Sequence, residues 1–351
     1  MISDANLLAA TLPRLRAADW LALDTEADSL HAYPEKVCLI QISLPGADEL
    51  IDPLAGFELA PLWETLRGRR LILHGADYDL RLLNEHHSFK PHAVFDTMIA
   101  ARLAGVERFG LADLVDLFLG VKLDKAPQKS NWAMRPLPQR LLDYARHDTH
   151  HLEALSGMLE MRLREHGRLG WCEESCARLV EDCSRLASVD ADLEWRIKGS
   201  GRLGRPALAV LRELWQWRER EAIASSRPPF FVLMHDTMVS VAAAAAHDQP
   251  WEGMLPQRWS PRRRAGAHEA IQRALALPHD AHPQPIRNAP HHPTPAEKRR
   301  FDELKQRRDR RAQELRLDPT LIASRQALDQ VAREGEPAWA GLMSWQRELL
   351  A

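Results

Sequence analysis

Two short apolar runs, W-L-A-L-D-T (20–25) and V-C-L-I-Q-I-S-L (37–44), constrain the fold of this chain more than any other feature. Both are brief and partly β-branched, so they read as neighbouring strands joined through H-A-Y-P-E-K. D-E-L-I-D-P ends another strand near Ile51, and L-I-L-H (71–74) is a fourth. Helical patterns lie between and after them, at 59–67, 77–87, 96–104, 110–118 and 138–165. Strands first, then strand–helix alternation, predict an α/β domain: a mixed sheet flanked by helices.

After about residue 165 the strand signal fades and helical patterns continue to the C-terminus. The expected organisation is an α/β domain over 1–165, a helical connector over 166–200, a helical domain over 201–280 and a second one over 297–351. Residues 281–296 fall in a Pro/His-rich stretch with no periodic apolar face and read as the linker between the last two. The halves differ in charge. Residues 1–165 hold 18 Lys+Arg and 24 Asp+Glu, a net of −6, so the remainder holds 47−18 = 29 bases and 49−24 = 25 acids, a net of +4. An acidic half able to hold metal beside a basic half able to hold a polyanion is one reading; solvated surface is the other.

No segment approaches the roughly 18 apolar residues that span a bilayer, and the N-terminus lacks a basic region followed by an apolar run. A cytoplasmic protein is expected. Four cysteines in 351 residues do not form a disulfide framework. Cys172, Cys176 and Cys183 share one helical stripe and are expected to be buried free thiols.

Three acidic stretches carry the chemistry. Asp24 and Glu26 lie two apart on a strand, so they share a face and Thr25 points the other way. Adjacent carboxylates repel unless a proton or a cation sits between them, and hard divalent cations favour such oxygen ligands. In H-G-A-D-Y-D-L-R-L-L (74–83), Asp79 falls in the first turn of a helix after a strand, with Asp77 its competitor. In D-Y-A-R-H-D-T-H-H-L (143–152), Tyr144 and Asp148 are spaced i, i+4, which puts phenol and carboxylate on one helical face. Taken singly, each could be solvated surface.

Together these stretches resemble the DEDD exonuclease superfamily, in the branch with tyrosine in its third motif. With D-T-E-A-D-S-L-H-A-Y-P-E-K-V-C-L-I-Q-I-S, I-D-P-L, F-D-T-M-I-A-A-R-L and K-S-N-W-A-M-R-P-L, most of residues 20–165 resembles the ribonuclease D family. L-R-E-L-W-Q-W-R-E-R-E-A-I-A-S-S-R-P-P-F-F-V-L (211–233) is similar to the helicase-and-RNase-D C-terminal (HRDC) domain, and 298–350 resembles a second, weaker copy. The resemblance implies a ribonuclease H-like α/β exonuclease domain followed by all-α HRDC-type domains.

It also implies a function: metal-dependent 3′→5′ hydrolysis of RNA, releasing nucleoside 5′-monophosphates, with precursor tRNA 3′ ends as the leading substrate. Asp24, Glu26, Asp79 and Asp148 match the family's acids, which hold two divalent ions, Mg2+ or Mn2+, and Tyr144 matches the tyrosine that orients the attacking water. Asn131 departs from the family, where an acid is common. His74, Lys125, Lys129, Trp132 and Arg135 are candidate substrate contacts, with packing the competing role for Trp132. The basic stretches 258–264 and 298–311 suit phosphate contact. Two other functions fit the same residues: a DNA 3′→5′ exonuclease, and a nucleic-acid-binding scaffold with an inactive site.

Overall fold

The structure is a computed structural model and describes residues 1–124, 129–185, 190–286 and 291–351. The chain divides into two compact units. The first comprises Met1–Ala27, Val37–Leu186 and His292–Ala351; the second comprises Asp28–Lys36 and Ala187–His291.

The first unit is built on a five-stranded sheet, β1 (Leu21–Ala27), β2 (Val37–Leu44), β3 (Ala47–Ile51), β4 (Arg70–Leu73) and β5 (Ala93–Asp96). The strand order is β3-β2-β1-β4-β5. β1 pairs antiparallel with β2 and parallel with β4, so the sheet is mixed, as the strand-then-helix pattern predicts. Every residue of β2 is buried, which accounts for its uninterrupted apolar run. In the β1–β2 register Asp24 faces Gln41 and Glu26 faces Leu39, and the register slips by one residue immediately after Glu26.

The helices of the first unit that precede the second are α1 (Ala5–Ala17), α2 (Ala60–Arg67), α3 (Asp77–His87), α4 (Thr97–Leu103), α5 (Leu111–Leu119), α6 (Gln139–His150), α7 (Leu152–Glu165) and α8 (Leu169–Ser184). The pattern over 138–165 is two helices rather than one, separated at His151. β5 is a strand that the sequence pattern does not reveal, because A-V-F-D runs straight into helix α4.

The second unit is helical: α9 (Ala191–Glu194), α10 (Arg205–Ser225), α11 (Pro229–Val232), α12 (His235–Ala246) and α13 (Pro261–Leu275). Leu208, Leu211, Leu214, Trp217, Met238, Val241 and Ile271 form its core. Gly266 lets α13 approach the Trp217 ring: a Cβ there would lie 2.7 Å from the indole nitrogen. Tyr33, from the connection between β1 and β2, packs against this core and donates its hydroxyl proton to Glu219 at 2.5 Å.

The last block holds α14 (Pro295–Leu315), α15 (Pro319–Ile322), α16 (Arg325–Glu334), α17 (Glu336–Ala340) and α18 (Ser344–Leu350). The expected separate second helical domain at 297–351 is not what the structure contains, because this block groups with the sheet. The reason is its shortage of core. Ala312 is the buried residue of the 21-residue α14, too little to bury against itself. Ala312, Ile322, Ala323, Leu328, Trp345 and Leu350 instead join one cluster with Ala100, Leu114, Leu155 and Leu159. Trp171 stacks on Trp345 at 5.1 Å, and the buried Arg168 donates to the carbonyls of Leu103 and Leu315 at 2.8 and 2.7 Å. All four cysteines are buried and free, as expected for Cys172, Cys176 and Cys183.

Candidate active site

β1 delivers the first two acids. Strand alternation turns Asp24 and Glu26 to one side, and both side chains are half-buried. α6 brings Asp148 to the same place: one carboxylate oxygen from each of Asp24, Glu26 and Asp148 lies within 4.8 Å of the others. A strand near the start of the chain and a helix far along it thus share one pocket.

Asp79 sits in the first turn of α3 and is 6% exposed. Its Oδ1 accepts the Thr25 backbone N–H at 3.1 Å and the Thr25 hydroxyl at 2.5 Å. Thr25 thus ties the fourth acid to the strand that carries the first two, a role that strand alternation alone does not reveal. Asp79 is close enough to push up the pKa of Asp24, Glu26 and Asp148. Asp77, its competitor, is exposed and paired with Arg81 at 2.9 Å.

The turn ahead of α3 is held by one buried carboxylate. Asp96 accepts the backbone N–H groups of Gly75 (3.1 Å), Ala76 (2.7 Å), Met98 (2.8 Å) and Ile99 (3.2 Å). Gly75 has φ +68°, which a residue with a Cβ adopts only at a cost.

The electrostatics of the four acids agree. Burial, then Asp79, Asp148 and Glu26, raise Asp24 well above the usual carboxylate range. Burial, then Asp148 and Asp79, push Glu26 up to about 9. Burial pushes Asp148 to about 7 against the opposing hydrogen bond from Tyr144. Burial raises Asp79 to about 6, opposed by its bonds to Thr25. Four carboxylates that resist ionising together are a site for positive charge. The donor set is oxygen only, which suits a hard divalent cation such as Mg2+ or Mn2+. Gln41, directly across from Asp24, is fully buried, and neither atom of its carboxamide has a protein hydrogen-bond partner among the described residues. An unsatisfied amide beside the acids fits a site whose polar contents are completed by ions and solvent.

Tyr144 is half-buried, and its hydroxyl donates to Asp148 one turn later on α6. A cavity of about 360 Å³ opens beside the pair, lined by Leu123, Asp124, Arg140, Asp143, Tyr144, His147 and Asp148.

The candidate substrate contacts fare unevenly. Trp132 is 1% exposed and packs with Cys38, Leu39, Leu50 and Leu141, its ring 6.1 Å from that of Tyr144. The expectation that it contacts substrate is therefore corrected: Trp132 is a core residue. Arg135 is corrected likewise, because its guanidinium is already engaged. It grips both oxygens of Asp52 at 2.7 and 2.6 Å and donates to the carbonyls of Trp132, Met134 and Cys38. Cys38 is the extra residue at the register slip, so Arg135 satisfies a carbonyl the sheet leaves unpaired. Lys129 is exposed, and Lys125 lies outside the described residues.

His74 is half-buried at the end of β4. Its Nδ1 lies 2.9 Å from the Thr97 hydroxyl, which donates to the Leu73 carbonyl at 3.1 Å. The hydroxyl proton is thereby used, so Nδ1 carries the hydrogen and Nε2 is left as an acceptor. Burial lowers the pKa of His74, consistent with a neutral ring.

Residues 1–164 match a family model described as 3′-5′ exonuclease, and residues 207–249 match the HRDC domain. A ribonuclease D of Zymomonas mobilis is 36% identical over 248 residues, which span 69% of this chain and 63% of that protein. A ribonuclease D of Gluconacetobacter diazotrophicus is 32% identical over 359 residues, 99% of this chain and 89% of the relative. The crystal structure of Escherichia coli RNase D, described as an exoribonuclease involved in structured RNA processing, is similar with a TM-score of 0.77. It is 27% identical, over 95% of this chain and 90% of that one.

Proposed function

The chain belongs to the ribonuclease D family, and on that premise we propose that Asp24, Glu26, Asp79 and Asp148 form the active centre of a 3′→5′ exoribonuclease that removes nucleoside 5′-monophosphates from RNA. The observation that carries this reading is the meeting of three carboxylate oxygens within 4.8 Å, where each acid's ionisation is opposed by the charge of its neighbours. Two divalent ions, Mg2+ or Mn2+, are the cations the all-oxygen set would hold, and once bound they would supply Lewis-acid activation of water and charge stabilisation for the leaving 3′-oxygen.

The chain's own residues do the rest. Thr25 fixes one oxygen of Asp79 and leaves the other for the site. Tyr144 holds its hydroxyl at Asp148, where it can turn to orient a water against the terminal phosphate. The water oxygen bonds to phosphorus as the water gives up a proton to solvent, the P–O3′ bond breaks, and the 3′-oxygen takes a proton from solvent as the shortened RNA is released. His74 offers Nε2 as an acceptor for a sugar hydroxyl of the terminal nucleotide. RNA is the preferred substrate on the strength of the relatives' names, and precursor tRNA 3′ ends are the class to try first.

The test is product analysis on matched RNA and DNA oligomers with free or blocked 3′ ends. Mononucleotides from free-ended RNA, lost with Asp24→Asn and with Asp148→Asn, are expected. RNA left intact under Mg2+ and under Mn2+, or shortening that both variants preserve, refutes the assignment.

A further inference from the structure

We infer that Gln41 is a positioning residue of the cation site: its carboxamide is the polar wall against which Asp24, and the solvent that accompanies a bound divalent ion, are held. The inference rests on the exonuclease reading and adds to it a residue from the middle of the sheet. The register places the amide. Residues directly opposite each other in an antiparallel pair share a face, and Gln41 stands opposite Asp24. Its neighbours Ile40 and Ile42 enter the apolar cluster on the other face. On its own face, Leu39 packs with Ala145 and Tyr144 of α6, and the Ser43 and Thr149 hydroxyls lie 2.7 Å apart. Gln41 falls between these two contacts. It therefore lies beneath the turn of α6 that carries Asp148, with Asp24 of β1 on one side and Leu50 of β3 on the other.

What the amide lacks points to its role. It is fully buried, and among the described residues neither its nitrogen nor its oxygen has a hydrogen-bond partner. β2 pairs with β1 on one side and β3 on the other, so the ladders already use the backbone groups that a structural amide would take. Ser43, two residues along the same face, shows how a structural polar group is settled there: it donates to Asp48 at 2.5 Å and meets Thr149 as well. A buried polar group left without partners costs stability, and an apolar side chain of the same length would avoid that cost. The position is repaid when the cluster is loaded. A carboxamide both accepts and donates, so it can accept from the solvent that a hard cation keeps around itself and donate toward a carboxylate. Outer-shell groups of this kind orient the ligands of a metal and strengthen its binding.

The test measures binding and stability rather than turnover. Full-length protein is titrated with Mn2+ by calorimetry, and the metal-free protein is melted in parallel. Gln41→Met, which keeps the length and removes the amide, should bind Mn2+ at least about tenfold more weakly than the native chain. Its metal-free form should melt no lower than the native one. Gln41→Glu, which keeps an oxygen in the same place and adds charge, should bind Mn2+ at least as tightly as the native chain. Leu39→Met, an apolar change on the same face, should leave the affinity within about twofold. Mn2+ uptake that Asp24→Asn abolishes but Gln41→Met leaves intact overturns the inference and spares the exonuclease reading. A metal-free Gln41→Met that melts lower than the native chain, a Gln41→Glu that binds more weakly, or a Leu39→Met that binds as weakly as Gln41→Met overturns it too, because the amide would then be a packing element. No Mn2+ uptake by the native chain removes the cation site itself, and this inference with it.

Discussion

Two sets of carboxylates around the same sheet are treated in opposite ways. Asp52, at the end of β3, is locked bidentately to Arg135, and Asp96, at the end of β5, accepts four backbone N–H groups. Asp24, Glu26 and Asp148 have one another, with a phenol on one and Asp79 nearby. The first set uses buried charge to hold loops and strand ends. The second concentrates charge of one sign, which costs stability and which the proposed divalent ions would offset.

The sharpest way to break this contrast is to neutralise one acid of the cluster and to remove the partner of one acid outside it. Asp24→Asn should cut RNA hydrolysis by a thousandfold or more, about 4 kcal/mol of transition-state stabilisation, while raising the melting temperature of the metal-free protein by ~2 °C. If Asp24→Asn lowers the melting temperature, the cluster is structural after all. Arg135→Ala should leave Asp52 buried without its partner and destabilise the protein by about 3 kcal/mol in urea unfolding. Tyr144→Phe should lower kcat about a hundredfold with KM and the unfolding midpoint nearly unchanged.

A pH series sharpens the comparison further. The acids titrate in the folded chain near 6, 7 and 9 for Asp79, Asp148 and Glu26, above their ordinary range. The folded state therefore keeps protons that the unfolded chain releases. Stability of the metal-free protein should fall as pH rises from about 4 toward 9, by at most about 1.4 kcal/mol per pH unit for each proton. Glu26→Gln should flatten that fall, and saturating Mn2+ should offset it. The smallest effect expected is that of Thr25→Val, which removes the hydroxyl from Asp79 but keeps the backbone N–H; Mn2+ affinity by calorimetry should weaken about tenfold.

Much of this contrast is legible in the sequence, and the limits are instructive. Alternation puts Asp24 and Glu26 on one face, helical spacing pairs Tyr144 with Asp148, and Asp79 falls in the first turn after a strand, but taken singly each pattern fits solvated surface, and it is the resemblance to the exonuclease superfamily that singles these residues out together. Local periodicity supplies their places, not their joint role. What periodicity does not carry is pairing across the chain. Alternation puts Thr25 on the opposite face from the acids, and nothing local shows that Asp79 comes to meet it there. Arg135 and Trp132 lie in a segment of alternating basic and apolar residues, where a cation free for phosphate and a cation bound to Asp52 look alike. β5 is too short to stand out beside the helix it feeds. The Pro/His-rich stretch reads as a separator between domains, but composition does not say whether the helices beyond it return to the sheet.

They do return, and this bears on how the molecule can be dissected. The family match over residues 1–164 marks the chemistry, not the folding unit. Ile322, Leu328, Trp345 and Leu350 share one apolar cluster with Leu114, Leu155 and Leu159. A fragment ending near residue 165 would present that surface to water, and its failure in the test tube would reflect lost solubility and say nothing about the acids.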